Sequence, residues 1–215
     1  MALRRLGENR PAFLIHGLAL AARRGSDMTI ATNIIRGEHC EMECILNALS
    51  RVVDKAARDG KEPDFECLWL LLDWIESFPD TFHHPKEEDF LFPILAERNP
   101  EAGDLIDDLR EEHVKGIAMM DDLRRNLEAY RRDLAAGPRF WEVAKAYVAM
   151  ERRHIRTEEQ WLLPLALRSL ADADWVSANR AFLDNVNPLL GRERRLKFDE
   201  FFVRILHRVS DNLAA

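Results

Sequence analysis

Apolar residues recur every three or four positions through most of the chain, and strict alternation of apolar and polar residues is sustained nowhere. From Thr29 to about Arg58 the stripe is Ile34, Ile35, Met42, Ile45, Leu46, Leu49, Val52 and Val53, which predicts a long first helix. Asp59-Gly60-Lys61-Glu62-Pro63 stops it, and Asp64 is placed to cap a second helix carrying Leu68, Leu71, Leu72, Ile75 and Phe78. Pro79 and Pro85 each remove a backbone donor from that helix, so a kink is expected where His83 is presented, ahead of an end near Arg98. Asn99-Pro100 breaks the chain again. Glu101 then opens a third helix on Leu105, Ile106, Leu109, Ile117, Met120, Leu123 and Leu127, and Gly137-Pro138 separates it from a fourth, Arg139 to Leu170. The prediction is an all-α fold: an up-down-up-down four-helix bundle over residues 29–171. A short helix through Trp175 and Phe182 and an amphipathic segment from Lys197 to Val209 make residues 172–215 a C-terminal extension, laid on the bundle for packing or for contact with a partner.

Composition narrows the function classes. At 215 residues the chain reads as one domain with tails, and its net charge of −7 is spread as interspersed signs without a basic stripe, which argues against nucleic acid as a partner. The apolar run Pro11–Ala22 is too short to span a bilayer. Behind Arg4, Arg5 and Arg10 it has the outline of a signal peptide, but His16 and Gly17 interrupt it and Arg23-Arg24 follow directly. Residues 1–28 are therefore expected to be an N-terminal extension, disordered or belonging to a misassigned start ahead of Met28. Cys40, Cys44 and Cys67 are sparse, odd in number and not spaced as a disulfide framework, so a reducing, cytoplasmic compartment with no membrane association is expected.

The candidate chemistry lies in a repeat. His83-His84-Pro85-Lys86-Glu87-Glu88-Asp89-Phe90-Leu91-Phe92-Pro93 is echoed by His154-Ile155-Arg156-Thr157-Glu158-Glu159-Gln160-Trp161-Leu162-Leu163-Pro164, both reading H-x-x-x-E-E-x-Φ-L-Φ-P. Residues four apart on a helix share a face, so each copy points an imidazole and a carboxylate the same way. Glu38-His39 on the first helix is matched by Glu112-His113 on the third, which makes the bundle two related hairpins. One such pair alone is ordinarily a solvated contact. Two in register, with two further histidines at matching positions, point to a metal site in the bundle core. The candidate ligands are His39, His83, Glu87, His113, His154 and Glu158. Four nitrogens and two bridging carboxylates make about eight bonds, and an oxo or hydroxo bridge raises that to about ten of the roughly twelve that two octahedral ions take. Positions would remain open for a small ligand. Iron, manganese and zinc all accept these donors.

Several neighbours have two readings. His84 with Glu88 offers a competing pair; only His83 and Glu87 keep the offset to Pro93 that His154 keeps to Pro164, which leaves His84 either without a role at the site or as an outer partner orienting a ligand. Glu43 is a further ligand or a solvated glutamate, Glu88 and Glu159 face outward or accept from ligating imidazoles, and Tyr147 lines the site or fills the core. Cys40 and Cys44 read as small buried hydrophobes or as a redox pair.

Histidine ahead of glutamate at a four-residue step, the Leu-Phe-Pro tail and the Glu-His openings resemble the haemerythrin-like family of HHE cation-binding domains, over roughly Thr29 to Leu170. The resemblance implies a bundle holding a non-haem centre of two iron ions, oxo- or hydroxo-bridged, on the six residues above. Oxygen-carrying haemerythrins have a further histidine one turn after that of the third helix. Here the position is Ile117, which puts simple oxygen carriage in doubt. The expected function is binding or reduction of a small oxidant, dioxygen, peroxide or nitric oxide, in stress defence or redox sensing. The alternatives are an iron- or oxygen-responsive sensor without turnover, acting on a protein partner or a second copy through the C-terminal helices, and a metal-free helical scaffold.

Overall fold

A computed structural model of the chain describes residues 29–184 and 191–214, and the expectation for residues 1–28 lies outside them. Helix α1 is Ile30–Asp59. Helix α2 covers residues 65–98 as Phe65–Phe78, His84–Lys86 and Phe92–Arg98 joined by wide π turns at Pro79–His83 and Glu87–Leu91. Helix α3 is Gly103–Arg132. Helix α4 covers 137–169 as Gly137–Thr157, a π turn Glu158–Leu162, and Leu163–Ser169. Helices α5, Asp172–Asp184, and α6, Gly191–Ala214, complete the described chain, in which there is no strand.

The ends of these helices follow local chemistry. The Thr29 hydroxyl accepts from the Thr32 N–H at 3.2 Å while the Thr32 hydroxyl accepts from the Thr29 N–H at 2.9 Å, closing a reciprocal cap on α1. Gly60 ends α1 at φ +60°, a conformation in which a Cβ is strained. Asp64 caps α2 by accepting from the Cys67 N–H at 3.0 Å. Pro100–Ala102 forms a single 3₁₀ turn, so α3 begins two residues later than its sequence signals suggest.

Where a kink in α2 is expected, the helix widens. His84, Phe92 and Leu163 donate their N–H groups five residues back, to Pro79, Glu87 and Glu158, and each stands directly before a proline: Pro85, Pro93 and Pro164. In an α-helix a proline ring collides with the carbonyl four residues earlier; the wide turn moves that carbonyl aside and the helix continues.

Helices α1 to α4 close a bundle whose apolar core is cut in two. One cluster, from Met42 and Leu49 through Leu71, Phe78, Leu123 and Phe140, fills one end; the other, with Ile35, Leu91, Leu95, Ile106, Leu162 and Ala166, fills the opposite end. Between them lies a buried polar layer. Trp175, Ala178 and Phe182 of α5 join the second cluster, and Ile205 and Val209 of α6 join the first, so the faces of the extension that carry these residues are occupied by packing.

Candidate metal centre

All six predicted ligands are buried in the layer between the two clusters. Ligand atoms of His39, His83, Glu87 and Glu158 lie within 4.8 Å of one another, as do those of Glu87, His113, His154 and Glu158, so the two glutamates are common to both groups. A third group joins His84 to His113 and His154. The His84 ring lies over that of His113, with centroids 3.9 Å apart and planes 17° apart. On a regular α-helix, successive residues diverge by about 100° and His83 and His84 could not both face the axis. The π turn that ends on His83 adds a residue to the turn and brings both inward. Reading α2 with α-helical pitch makes the two histidines rivals; the structure makes them neighbours on one site. Ile117, the position expected to leave a histidine missing, points away and is 50% exposed.

Each inward histidine is held from behind. The Nδ1 atoms of His39, His83, His113 and His154 stand at 3.0, 2.8, 2.8 and 3.0 Å from carboxylates of Glu159, Glu38, Glu88 and Glu112, and His84 Nδ1 faces Asp80 at 3.3 Å. The pattern respects the hairpin repeat: the glutamate of each Glu-His opening takes the histidine of its own hairpin's motif, and the second glutamate of each motif takes the lone histidine of the other. A carboxylate at Nδ1 assigns the proton there and leaves the Nε2 lone pair turned inward.

The inward side is then poorly supplied with hydrogen bonds. His39 Nε2, His83 Nε2, His84 Nε2 and all four carboxylate oxygens of Glu87 and Glu158 are buried and have no hydrogen-bond partner. His113 Nε2 and His154 Nε2 face each other at 3.2 Å, and His39 and His154 approach Glu158 to 3.0 and 3.1 Å. Buried polar atoms in this state are costly unless a proton or a cation lies among them. Nitrogen and carboxylate donors around a common centre fit a pair of first-row transition ions.

Burial alone would remove charge from every group in the layer. In His39 it is outweighed by Glu158 and Glu159, which hold the imidazole raised to about 9; in His154 it is outweighed by Glu158 and Glu112, which hold it well above its ordinary range. Burial lowers His83 to about 3, and burial with the neighbouring His84 and His154 lowers His113 to about 4. Burial and the adjacent Glu158 push Glu87 well up, whereas His154 and His39 outweigh burial and hold Glu158 well down. The metal-free layer thus favours the protonated forms of Glu87, His39 and His154. A cation must displace those protons, so its uptake releases them and strengthens as pH rises.

A model of the Hemerythrin HHE cation binding domain matches residues 30–166. The chain belongs to that family. This HHE domain places its buried histidines and glutamates where they could hold a metal ion. No curated protein and no solved structure matches the chain.

Other residues of the domain sort by their surroundings. Glu88 and Glu159 accept from imidazoles, while Glu43 pairs with Arg152 at 3.2 Å. Tyr147 is buried, whereas Cys40 is exposed, contrary to its reading as a buried hydrophobe; Cys44 is half-buried. Glu151 is a further buried carboxylate: burial raises its pKa against the pull of His154 and His84. Its signal lay in the repeat, because Glu151 precedes His154 by the same three residues as Asp80 precedes His83.

Proposed function

We propose that this HHE domain is a non-haem di-iron protein that binds or reduces a small oxidant, dioxygen, peroxide or nitric oxide, in stress defence or redox sensing. The observation that carries the reading is the ring of inward nitrogens, backed on every histidine by a carboxylate, around two fully buried glutamates whose oxygens face those imidazoles. His39 and His83 would hold one ion, His84, His113 and His154 the other, and Glu87 and Glu158 would join them. Bound iron would supply one-electron chemistry and open positions for a small ligand. Zinc would occupy the same donors without redox chemistry, whereas manganese would retain it.

The chain's own groups do the rest. The apolar clusters on both sides keep bulk water from the layer, which strengthens every electrostatic interaction within it. The carboxylates at Nδ1 fix the imidazole orientations. Glu151, a buried carboxylate whose pKa is raised by its dry setting against the pull of His154 and His84, would be the chain's candidate to hold a proton beside the layer.

The alternative is an iron- or oxygen-responsive protein without turnover that signals to a partner. Trp161, 65% exposed on the π turn that opens with Glu158, favours it, since a shift at the glutamate could be felt at that surface. The two readings part on one assay. Iron-loaded protein supplied with reductant should consume peroxide or nitric oxide over many turnovers, and a single stoichiometric reaction would favour the sensor.

A further inference from the structure

Each of the four carboxylates that hold the lone and motif histidines is itself met by a cation. Arg36 stands 3.8 Å from Glu159, Arg110 3.0 Å from Glu88 and Arg153 2.9 Å from Glu112. These three guanidinium groups are reached by water. The fourth is different: Glu38 is paired with Lys86, whose side chain is 1% exposed. Lysine is rarely so buried. The Lys86 ammonium lies 4.1 Å from the Phe82 ring centroid and 5.8 Å from that of Phe182, a residue of α5 beyond the family-matched segment. Helix α5 is fastened there by Asn179, which accepts from the Ala31 N–H at 2.8 Å, and by the Asp174 pair with Arg98. The repeat breaks at this residue, since the position matching Lys86 in the second hairpin is Thr157, whose hydroxyl donates to the Arg153 carbonyl at 3.0 Å.

We infer that Lys86 is the positioning cation for one end of the centre: it holds Glu38 against His83 and thereby aims His83 at the ion shared with His39. The inference rests on the metal reading above. A water-facing carboxylate that loses its cation is re-solvated, and screening makes the loss small. Glu38 has no such recourse. Without Lys86 it is a buried charge whose one remaining strong partner among the described residues is the His83 imidazole, and breaking a buried pair on one side leaves an uncompensated group that relieves itself by moving. The orientation of His83 moves with it, while His84, His113 and His154 keep their own supports.

Cobalt(II) titration of the metal-free protein, followed by visible absorbance, tests this. Wild type should take up two ions. In Lys86→Met, affinity at one position should fall about 10–100-fold, the usual effect of losing an outer partner, with the other position unchanged. Arg153→Met, the water-facing counterpart, should leave both unchanged. Glu38→Gln keeps the side chain's shape and should also weaken one position; the double variant Glu38→Gln/Lys86→Met should be no worse than the worse single, because the two groups act as a unit. Glu38→Gln decides the matter should Lys86→Met fail to fold. Two-site uptake unchanged in Lys86→Met, equal weakening of both positions, or additive losses in the double variant would overturn the inference alone. A wild type that takes up no cobalt would overturn the metal reading and this inference with it.

Discussion

Whether an imidazole reaches the polar layer is decided residue by residue by where the helix places it. His84 faces His113 because the π turn before it carries one residue more than an α turn, whereas Ile117, one α turn after His113, faces water. Swapping chemistry at these two positions should therefore have unequal effects. His84→Ala should weaken metal uptake at the three-histidine end by at least the roughly tenfold that loss of an outer partner costs. Ile117→His, though it restores the oxygen carrier's spacing, should leave uptake unchanged. A competitive chelator titration measures both, and a gain of affinity in Ile117→His would contradict the assigned geometry. That His39, His83, Glu87, His113, His154 and Glu158 meet in one buried layer was legible because the motif occurs twice, and repetition selects a register that one copy leaves open. His84 was not legible, because its inward turn depends on backbone pitch, and the residues on either side say only that prolines are near.

At the scale of elements, the same prolines explain both what could and what could not be read. Pro85, Pro93 and Pro164 announce a departure from α geometry, but missing donors alone do not distinguish a kink from a widened turn. Helix ends were easier, since Thr29, Asp64 and Gly60 act through contacts within a few residues of themselves. Asp64 also makes a distant contact, accepting from Arg208 of α6 at 3.0 Å, which ties the extension to the start of α2. Burial would raise its carboxyl, but Arg208 and the Cys67 N–H outweigh that and hold its pKa below the ordinary value. A depressed folded-state pKa gives stability that is present above the unfolded value and lost as pH falls through the folded one. In metal-free protein, Asp64→Asn should keep the cap and lose the ion pair, melting about 2 °C lower at neutral pH. The gap should close on acidification below about pH 4. A gap that stays constant with pH would show that the pair contributes nothing.

On the scale of the whole molecule, the fold is two apolar ends joined through a layer of buried charge. The bundle was legible because four amphipathic stripes and short breaks admit few other arrangements. That the extension packs on the bundle was expected, but which end each helix covers was not legible, because a stripe does not name the surface it covers; α5 closes the second cluster and α6 the first. No described helix is long and apolar enough to cross a membrane. A polar layer of this kind subtracts from stability unless its inward atoms are joined, which makes a bound metal a structural part of the account as well as its chemistry. The most direct measurement is the metal content of protein expressed with ample iron, beside Glu158→Ala. The account predicts about two irons per chain in wild type and loss of both in the variant, because the two positions share that carboxylate. Protein purified without metal, or a Glu158→Ala variant with unchanged iron, would contradict it.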